Sequence, residues 1–493
     1  MHDSPAARTF RRFFGQDLFH AVLLLGLVMA LASPALVPSE LTQDSDLWWH
    51  LADARTLVST HHFIRTEPYS FAVAGQRWIN PEWLAELPYW FSYSALGLRG
   101  IHLAALVGLA TNLLLIYFRG SWKSSNRAAA FWSTVLAFFL VSINMGARAI
   151  VVAWLALSVE LAILEAAERG RTRMLWLLPP LFCLWINLHG SWLIGLGFFA
   201  LYLLCSLFPV HLGALEQSAI AAAERNRLIG VFLTSCAALW INPYGWRMLW
   251  NPFDMLLNQK LNLALVEEWH PLSLGTTTGL AAAASIAILI LCNLVCGRSW
   301  KLYELAFLFA AWFLAFSHQR FAFLAAVVAT PWIAAELARS FFGAPSDKTI
   351  PALNALFTAA ILGACIWYFP AEAELQRNLA AGLPIETIES IQPTWRTFND
   401  FNLGGRMAFQ SKPNFLDSRV DTFEHHGILQ QYIAIENLND PFRLLDANRI
   451  DHVLTAAGTP LAYTLERAPG WRLDRREGTV RVYEFFTRVP KLP

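Results

Sequence analysis

Apolar residues run along this chain in long blocks separated by short polar joints. The blocks fall at about 18–37, 101–118, 129–143, 149–166, 174–188, 191–209, 228–240 and 278–296, then before 316, before 336 and at 351–369. Uninterrupted apolar runs near the length needed to cross a bilayer, about 20 residues, predict transmembrane helices. The pattern predicts a polytopic α-helical membrane protein with about eleven spans over 1–370. From about residue 371 the blocks stop. HVLTAA, LAYTLE, WRLD and VRVYEFF read as strands there and HHGILQQYIAI as a helix, which predicts a compact α/β domain over 371–493.

The joints carry a second signal. Arg8, Arg11 and Arg12 precede the first block, and basic residues such as Arg119, Lys123, Arg225, Arg227, Arg298, Lys301, Arg339 and Lys348 fill alternate joints. Under the positive-inside rule these mark the cytoplasmic face, with an uncleaved first helix and the C-terminal domain outside. The other joints then share the outer face. They are the loop over 38–93, Asn144 with Arg148, Asn187 with His189, Asn242 with Tyr244, Glu267 to His270, and His318 to Arg320.

Composition narrows the function class. Of 493 residues 56% are hydrophobic and 15% charged, with a mean hydropathy of +0.41; soluble domains carry roughly 25% charged residues. A net charge of +1 and the lack of a long basic tract exclude nucleic acid as the expected partner. All six cysteines lie in apolar blocks, so neither a disulfide framework nor a cysteine metal cluster is expected. No GxxxxGK[ST], strand-following GxGxxG or GxSxG occurs, which leaves ATP-driven, nicotinamide and serine-hydrolase chemistry without local support.

The loop from Gln43 to Glu86 is richer than a connector requires. Asp44 and Asp46 stand one residue apart; they can chelate a divalent cation such as Mg or Mn, or one can act as a base while hydrogen bonds hold the other. Equally they can cap the helix that begins LWWHLADARTLV and face water. His50 shares a helical face with Asp46. Glu82 and Glu86 share one on the next short helix, as acids of the same centre or as its wet face. Arg148 and Arg320 occur where outer joints meet apolar blocks and suit a phosphate, or snorkel to headgroups. His318 accompanies Arg320 in SHQRF. WINLHGSW and WINPYGW place Asn187 and His189, and Asn242 and Tyr244, at two helix ends, for substrate hydroxyls or for packing.

DSDLWWHLADARTLV, TEPYSF and QRWINPEWLAE, with the later NLHG, NPYG, SHQRF and FLDSR, resemble a group of bacterial GT-C-like multi-spanning proteins. More broadly the organisation resembles the GT-C superfamily of membrane glycosyltransferases. The resemblance implies a bacterial inner-membrane enzyme and a polyprenyl-phosphate-linked sugar, with its tail among membrane lipid and its phosphate near Arg148 or Arg320. Asp44 or Asp46 would be the base in an inverting displacement onto an envelope glycan, lipid or protein. His50 and Glu82 would complete the catalytic set, while Asn187, His189, Asn242, Tyr244 and His318 would join the arginines in binding. No cofactor is implied beyond the optional cation at Asp44 and Asp46, and the oligomeric state stays open. The chain departs from oligosaccharyltransferases in lacking a WWD acceptor motif, which leaves the acceptor open. A non-catalytic subunit of envelope assembly and a transporter or flippase of lipid-linked substrates are the alternative readings.

Overall fold

The computed structural model describes residues 18–38, 44–342 and 351–489; Arg8, Arg11, Arg12 and Lys348, invoked above for sidedness, lie outside them. Each predicted apolar block is helical. Five helices are long and apolar enough to span a membrane: Leu18–Val37, Leu98–Ser124, Ile150–Glu168, Thr277–Cys296 and Gln319–Phe342. A sixth span results if Asn354–Trp367 and Glu372–Gly382, bent by 49°, count together. The expectation of about eleven full spans is therefore corrected. Arg127–Val141, Thr172–Leu188, Trp192–Ser206 and Leu302–Ser317 are apolar helices of 10–17 residues, at most about 25 Å long against a hydrocarbon core of about 30 Å. Local breaks stop them early: a 3-10 turn at Ser142–Asn144, and extended backbone at His189 and His318. The block at 228–240 belongs to Ala222–Ala238, whose first turns carry Glu224, Arg225 and Arg227.

Gln319–Phe342 is the centre of the bundle. Ala322 to Ala334 are buried without interruption, and alanines let neighbouring backbones approach where water supplies no driving force between helices. Trp154, Phe182, Trp185 and Phe323 are the large buried side chains of this helical core.

Beyond residue 371 a four-stranded sheet runs in the order Thr397–Asn399, His452–Ala456, Tyr483–Arg488, Trp471–Glu477. The first pair is parallel and the other two antiparallel. Phe398, Phe415, Phe423 and Phe486 fill its core. LAYTLE is not a strand. Thr459 accepts a hydrogen bond from the Ala462 amide, Pro460 occupies the first turn, and Leu461, Ala462 and Leu465 are the buried face of a helix over Pro460–Arg467. An N-cap and proline at helical spacing outweigh the residues' strand character. Also unanticipated is a short hairpin of Val210–Leu212 with Leu215–Gln217.

The C-terminal part packs directly on the loop that follows the first span. A Cβ added at Gly405 would meet the Ser45 carbonyl oxygen at 2.1 Å, so this contact needs glycine. Buried Arg419 reaches Glu67 Oε2 at 2.7 Å and Asp417 Oδ2 at 2.6 Å. That carboxylate pair fixes a guanidinium taken out of water.

Candidate active site

The loop after the first span contributes the helix Asp46–Thr60, and Asp44 starts it. Asp44 Oδ1 accepts the Asp46 amide at 3.1 Å, satisfying one of the free N–H groups of a helix start. The expected cap was Asp46; its carboxylate instead accepts from Trp49 Nε1 at 3.3 Å. Trp48 and Trp49 are buried against the C-terminal part and the rest of the loop. They do not lie on a membrane surface.

Arg148 Nε meets Asp44 Oδ2 at 2.6 Å, while its Nη1 contacts Glu268. Glu268 also faces Arg320 Nη1 at 3.7 Å, and Arg320 lies 5.0 Å from the Trp269 ring centre. Burial raises Asp44 against the opposing pull of Arg148, whereas Arg148 is held firmly charged, chiefly by Asp44. The 2.6 Å contact favours the ionised pair. Burial also pushes Glu268 upward, but Arg148 and Arg320 outweigh it and leave its carboxyl below the usual range. Asp46 has no ion-pair partner among the described residues.

The second acidic group sits on the next short helix. Glu82 Oε1 lies 3.2 Å from His189 Nε2, and Glu82 Oε2 lies 3.4 Å from His50 Nε2. His50 Nδ1 is 2.7 Å from Glu86 Oε1. Burial raises Glu82 to about 7 and Glu86 to about 8, and lowers His189 to about 3. A carboxyl buried without a full positive partner keeps its proton to higher pH.

These residues surround one cavity of about 420 Å³. Asp44, Asp46, His50, Glu82, Arg148, His189 and Arg320 all line it. Asn187, Asn242, Tyr244 and His318 do not. Asn187 accepts from Trp83 Nε1 and donates to the Ile241 carbonyl, Asn242 donates to the Leu239 carbonyl, and Tyr244 donates to the Ile64 carbonyl. His318 packs edge-on against Trp269 and Phe321. The local motifs of these four serve helix ends and packing. The sequence pattern did not single out Glu268 as the link between two arginines. Nor did it single out Arg419 and Asp421, which bring the C-terminal part onto the cavity wall; FLDSR was the available signal. Burial raises Asp421 to about 6.

Among the described residues no group of three or more His, Cys, Asp or Glu side chains is placed to hold a metal ion. Asp44 Oδ2 meets Arg148 Nε and Asp44 Oδ1 accepts the Asp46 amide.

No protein-family model matches the chain, and no curated protein matches its sequence. Solved structures do match its fold. The Archaeoglobus fulgidus oligosaccharyltransferase AglB, in complex with an inhibitory peptide and a dolichol-phosphate, superposes with a TM-score of 0.56 at 13% identity, over 91% of this chain and 70% of that one. ArnT from Cupriavidus metallidurans, bound to undecaprenyl phosphate, gives 0.50 at 12% identity over 94% and 97%. The chain shares its fold with these solved structures. Within that fold it is a multi-span helical membrane protein with a C-terminal α/β sheet domain. At such low identity the likeness carries the fold, and the chemistry has to be argued from the cavity.

Proposed function

We propose that this protein is an inverting glycosyltransferase of the bacterial inner membrane. It moves a sugar from a polyprenyl-phosphate donor to an acceptor of the envelope, with the cavity and the C-terminal domain, over 371–493, on the outer face. The observation that carries the reading is the shared wall of the cavity: Arg148 and Arg320 beside Asp46, His50 and Glu82. Glycosyl transfer from a lipid phosphate needs cationic groups for the departing phosphate and a base for the incoming hydroxyl or amine. Glu268 holds the two guanidiniums together, and a donor phosphate would take its place between them. Asp44 then acts by fixing Arg148. No step is routed through a divalent cation.

The sidedness is the reading of the alternating basic joints under the positive-inside rule. The short helices would be tolerated through packing against the longer ones. A lipid-linked donor and a cavity at the outer surface are consistent with that placement.

The Asp44–Arg148 ion pair is the one feature that favours a non-catalytic envelope subunit, because it ties an acid to a structural partner. The open cavity and the unpaired Asp46 weigh against it. The test is the full chain in nanodiscs, supplied with polyprenyl-phosphate-linked sugars and envelope acceptors. Release of polyprenyl phosphate with transfer of the sugar supports the proposal. Failure to bind polyprenyl phosphate at all would sink it.

A further inference from the structure

The hydrogen bonds around Glu82 orient the groups that face it. Asn80 Oδ1 accepts the Glu82 amide at 2.9 Å, and a backbone N–H can only donate, so the Asn80 amide is oriented. Its Nδ2 therefore donates to Glu86 Oε1 at 2.7 Å and to Asp53 Oδ2 at 3.2 Å. Glu86 Oε1 accepts from Asn80, and when Glu86 is ionised it accepts from His50 Nδ1, 2.7 Å away, as well. His50 Nε2 is left facing Glu82 Oε2 across 3.4 Å. On the other side the Ser191 amide donates to His189 Nδ1 at 3.0 Å. This leaves the hydrogen of His189 on Nε2, 3.2 Å from Glu82 Oε1. The Ser191 amide sets the His189 tautomer, and the Glu86 side chain is the partner of His50 Nδ1. Glu82 Oε2 and His50 Nε2 face each other at 3.4 Å beside the cavity that both residues line, where a proton taken from a substrate can be held.

We propose that the Glu82–His50 pair, rather than Asp44 or Asp46, is the proton acceptor of the cavity, with Glu86 and His189 as positioning residues. The inference rests on the transferase reading. When the acceptor oxygen or nitrogen bonds to the anomeric carbon, the carbon–oxygen bond to phosphate breaks and its electron pair leaves on the phosphate. The acceptor's proton goes to Glu82 Oε2 and is shared with His50 Nε2. Without that proton two lone pairs face one another, which makes the pair basic. With it, an ionic hydrogen bond forms. Asp46 remains as a charge near the pair, and Arg320 and Arg419 are the cations whose fields reach these acids. Burial sets Glu82 near neutrality, where a general base works best.

Infrared pH titration of the full chain in nanodiscs tests the pair without any transfer assay. Carboxyl bands titrating near neutrality are expected in the wild type; the Glu82 contribution should be lost in Glu82→Gln, while those of Glu86 and Asp421 remain. Glu86→Gln keeps an acceptor for His50 Nδ1–H and should retain the Glu82 contribution. Glu86→Leu removes that acceptor and should shift or abolish it. Titrating bands unchanged in Glu82→Gln overturn the inference whether or not the protein transfers sugar. Where transfer is detected, Glu82→Gln should lower kcat by roughly 10²- to 10⁴-fold, with KM for the donor and binding of polyprenyl phosphate retained. An acid limb of the pH profile that stays in place in Glu82→Gln but disappears in Asp46→Asn would return the role to Asp46. If the wild type binds no polyprenyl phosphate, the transferase reading fails while the infrared result still stands.

Discussion

Two buried clusters of charge sit toward opposite ends of the same helix, Ile150–Glu168, and they are built on different terms. At its start are Arg148, Asp44, Glu268 and Arg320, joined to the Glu82–His50 group around about 420 Å³ of open space. Near its end, about 22 Å away along the axis, Arg119 pairs with Glu165 at 2.9 Å and donates to the Val327 carbonyl at 2.6 Å. There Arg298 meets Glu304 at 3.0 Å and Glu336 at 2.9 Å, and Lys301 meets Glu168 at 3.1 Å. Lys123 and Arg298 lie over the Trp332 ring. A cavity among these groups measures about 10 Å³, room for at most one water. Charge burial alone therefore does not mark a site. What separates the two clusters is room for a ligand and acids without a cation of their own.

The sharpest way to break that comparison is Arg148→Ala. It leaves Asp44 buried without its counter-ion and separates Glu268 from its stronger partner. Removing one member of a buried pair costs on the order of 3–5 kcal/mol, toward the low end here because Arg148 is 32% exposed. Transfer and polyprenyl-phosphate binding should both be lost, and Arg148→Lys should not rescue them, since an ammonium cannot reproduce the two-sided contact. Thermal unfolding with a lipid-binding assay checks this; unchanged binding would sever the arginine from the phosphate role.

Glu165→Gln is the matching change at the other end. It strips Arg119 of its carboxylate, and a cost on the order of 3 kcal/mol is expected. Binding and the pH profile of transfer should stay as in the wild type. A lost substrate response would mean that the inner cluster communicates with the cavity.

How far the sequence could anticipate this contrast depended on distance along the chain. The long apolar blocks and the loop after the first span were legible because helical periodicity and the DSDLWWH stretch are local signals. Arg148 and Arg320 stood out for a local reason too, as cations at the outer rather than the basic joints. Glu268 could not be read as their bridge, since its partners lie 120 and 52 positions away. Arg419 needs the docking of a domain more than 350 residues from Glu67. Asn187, Asn242 and Tyr244 misled because an asparagine or tyrosine at a helix end has the same residue pattern whether it binds a hydroxyl or closes a turn. The helix at Pro460–Arg467 was misread because LAYTLE was weighed without its Thr459 cap.

The acidic group of the cavity predicts a pH dependence with a definite sign. Glu82 and Glu86 rise from 4.5 to about 7 and about 8, so between these limits the native state holds more protons than the unfolded one. Stability is then greatest near pH 5 and falls as the pH rises toward 8. A tenfold change in proton affinity is worth about 1.4 kcal/mol, and a combined loss on the order of 6 kcal/mol is expected over that range. Glu86→Gln should flatten much of the slope without unfolding the loop. Melting curves from pH 5 to 8 test this, and a stability that increases over that range would overturn the burial argument.

The smallest effect is expected at the rim, where the C-terminal part touches the helix Trp246–Asn258. His425 Nε2 meets Asp254 Oδ2 at 2.7 Å, but His425 is 41% exposed. Burial would raise Asp254, yet hydrogen bonds from Asn258, His425 and Gln259 bring it below the usual carboxylate range. His425→Ala removes only one of those three donors. Beside it, Glu424 still accepts the Leu261 and Asn262 amides at 2.8 Å each, so the two parts remain joined. An exposed pair contributes less than about 1 kcal/mol and is screened by salt. The change in melting should therefore be slight at low salt and vanish at high salt. A loss comparable with that of Arg148→Ala would mean that the rim contact, and not the Arg419 and Gly405 contacts deeper in, holds the C-terminal part over the cavity.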